Sequence, residues 1–183
     1  MEKHTLNRTR ELTLFAILLS IGLVLHYLES LMSIPVAGFM LKMGLSNIVI
    51  LYYLIQNKTS EGILMSISKL LLSLLFSPSV NFSNFLISLG GALASLLAMI
   101  LLTKLAKNKI IIVSIFGGIF HNLGQLGAVL FIVPVALPIQ QISYFFPLLI
   151  LLGTLSGFLV GTITKLILSK LSNIPKKSDY NSR

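Results

Sequence analysis

Apolar stretches separated by short polar turns set the rhythm of this 183-residue chain, at about 11–28, 35–56, 62–76, 82–102, 110–133 and 142–168. Within them polar side chains recur at helical spacing. The clearest case is Gly117-Gly118-Ile119-Phe120-His121-Asn122-Leu123-Gly124-Gln125, in the middle of an apolar run long enough to cross a bilayer at about 20 residues per crossing. Helical periodicity gathers Ser114, Gly118, His121, Asn122 and Gln125 on one face, while Ile, Leu, Val and Phe cover the rest. A polar stripe in hydrocarbon is costly unless it faces other helices or a wet cavity, so it marks an interior face.

The other spans carry stripes of their own. In the first, Ala16 and Ser20 form a small-xxx-small pair suited to close helix contact, and Gly22, His26 and Glu29 share a second face. Region 31–56 admits two forms: one long helix with Pro35 in its first turn, or a re-entrant or capping segment over 31–41 followed by a shorter helix over 42–56. In either form Lys42-Met43-Gly44-Leu45-Ser46-Asn47 brings a cation and an amide next to the far end of the first helix. The third span aligns Gly62, Ser66, Lys69 and Ser73, which places a lysine near mid-membrane at about 2.5–3.5 kcal/mol if it stood alone. The fourth aligns Ser88, Gly91, Ala92, Ser95 and Met99 as a packing seam, and the sixth repeats Gly153, Gly157 and Gly161 at four-residue intervals, a helix-packing ladder.

Composition turns this pattern into a class. The chain is 55% hydrophobic and 10% charged, with mean hydropathy +0.95, against about 25% charged residues in a soluble domain. The expectation is an all-α integral membrane protein: a single six-helix transmembrane bundle over 11–171, a basic leader over 1–10 and a polar, disordered tail over 172–183. The first span is read as a retained helix because no small-residue cleavage site follows it. The formal charge of +9 is informative through its placement. All but two of the fourteen basic residues fall on one side: Lys3, Arg8 and Arg10; Lys58; Lys104, Lys107 and Lys109; and Lys165, Lys170, Lys176, Lys177 and Arg183. By the positive-inside rule both termini are cytoplasmic. Lipid is the expected surroundings and nucleic acid is not an expected partner. Only Lys42 and Lys69 are left over.

The residue inventory excludes most catalysis. There is no cysteine, and the only aspartate is Asp179, in the tail. Magnesium–diphosphate chemistry needs clustered carboxylates, so the chain is not itself an aspartate-rich prenyl diphosphate synthase. It contains no G-x-x-x-x-G-K-[ST] and does not hydrolyse ATP. His4, His26 and His121 are too scattered for zinc, and no Ser/His/Asp set is available. No enzyme, cofactor or metal is expected. What remains is a bundle with ionisable groups near its outer face (Glu29, Lys42) and amides or cations deeper inside (Asn47, Lys69, His121, Asn122, Gln125), the outline of a pocket for a small polar or anionic solute. The structural alternative pairs Glu29 with Lys42 as a rim salt bridge and Lys69 with His121 or helix carbonyls.

At Pro35, Lys42-Met-Gly-Leu-Ser-Asn47, Ser88-Leu-Gly-Gly91 and His121-Asn-Leu-Gly-Gln125, over roughly residues 10–170, the chain resembles the bacterial Gx transporter family, often labelled heptaprenyl diphosphate synthase component I. That family is similar in size and six-helix layout to the substrate-binding (S) components of energy-coupling factor transporters. The resemblance implies a multi-pass protein of the bacterial plasma membrane that captures a solute and docks, partly through Ala16 and Ser20, on a transmembrane coupling subunit with its ATPases. The second reading is a non-catalytic membrane subunit that recruits a prenyl diphosphate synthase through its basic cytoplasmic loops. Under the first reading Lys69→Ala and Asn122→Ala abolish solute uptake. Under the second both variants leave synthase recruitment intact, and normal uptake in both would remove these residues from the site.

Overall fold

The computed structural model describes residues 2–36, 39–76, 82–106, 109–132 and 139–172. Among the described residues six α-helices carry the fold: α1 (Glu2–Leu31), α2 (Ile48–Ile55), α3 (Thr59–Phe76), α4 (Phe82–Leu105), α5 (Ile110–Ile132) and α6 (Ile139–Ser172). Between α1 and α2 lies a short antiparallel ribbon, β1 (Ile34–Val36) against β2 (Phe39–Leu41), with Ile34 opposite Leu41 and Val36 opposite Phe39. A single 3-10 turn, Leu45–Asn47, then leads into α2. Of the two forms open to 31–56, the structure therefore has the capping segment followed by a short helix. The turn at 77–81, residues 133–138 and the tail beyond 172 lie outside the described residues. The leader is not separate from the first span, since α1 runs through it from Glu2.

The helix α2, Ile-Val-Ile-Leu-Tyr-Tyr-Leu-Ile, has no polar face, and a helix that is apolar all round belongs in a core. Val49 to Leu54 are all buried, and Met65 of α3, Leu96 and Met99 of α4, Val113 of α5 and Val160 of α6 close around them. The Tyr52 and Tyr53 rings meet edge to face at 5.6 Å. α2 ends in a Schellman turn: Lys58 N–H donates to the Tyr53 carbonyl and Asn57 N–H to that of Leu54, both at 3.1 Å, with Asn57 at φ 60°. Just past it Lys58 donates to Glu11 Oε1 at 3.0 Å, and that hydrogen bond holds the Lys58 ammonium above its usual range.

α5 lies between α4 and α6, and glycines set the distance on both sides. A Cβ on Gly157 would come within 2.5 Å of the Ser114 carbonyl oxygen and 2.6 Å of Ile115 Cα; one on Gly153 would lie 2.7 Å from Ile119 Cα. On the other side a Cβ on Gly90 would lie 2.7 Å from the Gly124 carbonyl oxygen. The glycine ladder of the sixth span thus does what its spacing predicts: it lets two backbones touch.

Among the described residues, four stretches are long and apolar enough to cross a membrane: Arg8–Leu31, Phe82–Leu105, Ile110–Ile132 and Tyr144–Lys170. Their outward faces are rows of large apolar side chains, Leu93, Leu97 and Leu101 on α4 and Leu151, Leu155 and Leu159 on α6 among them. Water would not tolerate contiguous faces of this extent, whereas lipid is their natural solvent. The chain is a multi-pass membrane protein.

Because only backbone opposes Gly157, no side chain can yield to a substituent there. Gly157→Ala is expected to cost about 1–3 kcal/mol and lower the unfolding temperature in detergent. Nothing lies within 4 Å of a Cβ on Gly127, so Gly127→Ala should instead gain about 0.5–1 kcal/mol. An unchanged unfolding temperature for Gly157→Ala would remove the close-packing account.

Candidate functional site

The centre of the polar interior is a stretch of backbone, residues 42–47, that forms neither helix ladder nor sheet until the 3-10 turn begins. Inside a membrane domain its N–H and C=O groups need partners from elsewhere. Gly44 starts the turn at φ 85°, in the left-handed region, and the His121 ring packs against it so closely that a Cβ would lie 2.9 Å from His121 Cδ2. Past it, the free N–H groups of Leu45 and Ser46 both point at Glu29 of α1. Leu45 N–H donates to Glu29 Oε1, Ser46 N–H reaches the same oxygen at 3.4 Å, and Ser46 Oγ donates to Oε2 at 3.0 Å. A carboxylate at the start of a helical segment is the favourable sign for its unpaired N–H groups.

Other helices grip the same stretch. The Gln125 side chain of α5 clasps Lys42 on both backbone groups, accepting from its N–H at 2.8 Å and donating to its carbonyl at 3.0 Å. Ser156 of α6 donates to the Met43 carbonyl at 2.9 Å, and Asn47 donates to Ser95 Oγ of α4 at 3.0 Å. The clasp fixes the Gln125 amide orientation, so its nitrogen must donate to His121 Nε2, 2.5 Å away. Nε2 is therefore an acceptor, and His121 is the neutral tautomer with its proton on Nδ1. That nitrogen has no hydrogen-bond partner among the described residues, and Gly44 and Gly91 both pack close against the ring.

Two ammonium groups enter this network. Lys69 of α3, fully enclosed, donates to Ser46 Oγ at 3.0 Å and Asn47 Oδ1 at 3.1 Å. Since the Ser46 hydroxyl donates its own hydrogen bond to Glu29, Lys69 and Glu29 form an ion pair bridged by a serine hydroxyl. Lys42 Nζ lies 3.0 Å from His26 Nε2 of α1, and since a lysine can only donate, that ring is also neutral. Lys42, Lys69, His26, Ser46, Ser88, His121 and Gln125 border a common cavity of about 10 Å³. That is about the space one water needs.

The seven residues named from sequence thus divide. Lys42, Lys69, His121 and Gln125 line the cavity, whereas Glu29 and Asn47 stand behind it and hold Ser46 and Lys69. Asn122 does not join the cluster: its amide donates to the Leu149 carbonyl at 2.8 Å and ties α5 to α6. A helix turns about 100° per residue, so adjacent His121 and Asn122 serve different neighbours. The rim pairing of Glu29 with Lys42 does not form, nor does a contact of Lys69 with His121; the one ion pair in direct contact among the described residues is Lys58 with Glu11. Sequence reasoning left out His26, Ser46 and Ser88. His26 had a signal, its shared face with Gly22 and Glu29. Ala16 and Ser20 lie on the open side of α1, where the Ser20 hydroxyl is satisfied within the helix by the Ala16 carbonyl at 2.9 Å.

These features define a helical multi-pass membrane protein with a closed, cation-bearing polar centre and no group of three or more His, Cys, Asp or Glu residues that could hold a metal among the described residues. Residues 18–167 match the family described as heptaprenyl diphosphate synthase component I, and the chain belongs to that family. Comparison with curated proteins and with solved structures gave no match. The family description fits the second of the two readings, the synthase partner, better than a transporter subunit. The sequence holds no cluster of carboxylates of the kind that magnesium–diphosphate chemistry uses.

The bridged pair should behave as a unit. Glu29→Gln leaves the Lys69 ammonium buried without its counter-charge and is expected to cost about 3 kcal/mol in detergent unfolding. Lys69→Met in the same chain should return part of that loss. A double variant whose destabilisation equals the sum of the two single ones would mean that no coupling exists.

Proposed function

We propose that the chain is the membrane-embedded, non-catalytic subunit of a prenyl diphosphate synthase, holding the soluble catalytic partner at the bilayer where its lipid product belongs. The observation that carries this reading is the family match over 18–167. The finer topology is part of the proposal: the segment 35–56, of which α2 is the helical part, and α3 complete six crossings, and both termini face the cytoplasm. The basic residues support it by their clustering. Lys109 and Lys165 border a groove of about 240 Å³ with no acidic residue in its lining, whereas the groove of about 330 Å³ beside Arg8 and Lys58 also holds Glu11 and Glu61. In this reading those basic ends form the face that meets the synthase.

A second reading is favoured by a different observation: Lys42, Lys69, His26 and His121 converge on one interior cavity, which synthase recruitment alone does not require. It makes the chain the solute-binding subunit of an uptake transporter, akin to the S components of energy-coupling factor systems. The exposed Ala16–Ser20 face would then meet a coupling subunit, and separate ATPases would supply energy.

Gentle detergent purification of the full chain from its native membrane, with mass spectrometry of whatever accompanies it, separates the two. The expected companion is a prenyl diphosphate synthase subunit without ATPases. Recovery of an ATPase pair and a transmembrane coupling subunit, with no synthase, would overturn the first reading in favour of the second.

A further inference from the structure

The membrane core holds two ammonium groups and a single carboxylate. Glu29 is the only acidic residue between Glu11 and Glu61, and after Glu61 none follows until Asp179 in the tail; Glu11 and Glu61 border the groove at the Lys58 end, where Glu11 pairs with Lys58, so neither lines the cavity as a second counter-charge. Lys69 reaches the Glu29 carboxylate through Ser46. Lys42 does not: among the described residues its ammonium has only the neutral ring of His26. An ammonium offers three donors. One of Lys42's is taken and two of Lys69's, which leaves donors over on both lysines where they border the cavity. Charged donors without acceptors are costly in a water-poor interior. The group that relieves them is small, negative and rich in acceptors.

The geometry points to an oxyanion site of the phosphate class between Lys42 and Lys69, with His26, Ser88 and His121 around it. Lysine is a point cation suited to phosphate oxygens, and the site has no arginine fork to match a planar carboxylate. The choice of phosphate over carboxylate rests on the synthase partnership proposed above. Two sources share this chemistry: the diphosphate head of a prenyl lipid lying among the helices, and a free phosphate ester entering from the aqueous side. At about 10 Å³ the closed cavity is too small for either. Binding therefore requires the side chains that line the cavity to move apart.

The test is binding to the full-length protein in lipid nanodiscs, using inorganic diphosphate, farnesyl diphosphate and farnesol as probes. Farnesol should not bind. At least one diphosphate probe should bind, and Lys42→Met should weaken it tenfold or more. Ser88→Leu fills the cavity without removing a charge and should do the same, so it carries the test if Lys42→Met does not fold. A tenfold preference for farnesyl diphosphate assigns the lipid source, and equal affinity for inorganic diphosphate assigns the free one. Absence of binding by either diphosphate, or wild-type affinity in the folded variants, overturns the site. Diphosphate binding without a co-purifying synthase would leave the site standing and sink the partnership, and the reverse result would sink only the site.

Discussion

Much of the polar centre of this bundle answers to one requirement: the non-helical backbone at 42–47 sits inside a membrane domain, where hydrogen bonds must come mainly from the protein itself. Glu29 of α1, Gln125 of α5 and Ser156 of α6 serve its N–H and carbonyl groups directly. Lys69 of α3 and Ser95 of α4 hold the side chains of Ser46 and Asn47. The segment works as a hub whose spokes come from five helices. Its own continuation, α2, is the fully apolar plug beneath it. The glycine contacts follow from the same need, because side chains as short as serine reach the hub only when the helices bearing them stand very close.

This division of labour separates polar residues that hold the structure from polar residues that are left over. Glu29, Gln125, Asn47 and Ser156 are occupied by the hub. Asn122 is occupied elsewhere, on the Leu149 carbonyl. The two lysines are of another kind, since their charge exceeds what the surrounding structure neutralises. Stability alone would favour an apolar side chain at such positions. The proposed partnership with a prenyl diphosphate synthase gives an anion a place in that imbalance.

Much of the bundle was legible in the sequence because a bilayer imposes two strong rules, a minimum apolar length and an interior for every polar stripe. Gly62, Ser66, Lys69 and Ser73, and likewise Ser114, Gly118, His121, Asn122 and Gln125, are all buried as their spacing requires. Periodicity gives a direction on one helix and no partner on another. It could not pair Glu29 with N–H groups sixteen residues on, nor tell that His121 meets the hub while Asn122 meets α6. The segment 31–41 was ambiguous for a related reason: a short apolar run containing one proline fits the first turn of a long helix or a capping segment before a shorter one, and periodicity alone does not choose. His26 was visible on its face of α1, but its role depends on Lys42, which reaches it across a reversal of the chain.

The hub also orders events during synthesis. Its backbone is made early, yet two of its holders lie far along the chain, Gln125 83 residues after Lys42 and Ser156 113 residues after Met43. Until α5 and α6 emerge, the nascent chain carries exposed carbonyl and N–H groups, along with an ion pair that has no lid. The first half cannot reach its final form alone and must wait, in contact with water or with an insertion partner, for the second half to arrive. A chain cut short before α6 would leave the Met43 carbonyl without its Ser156 donor.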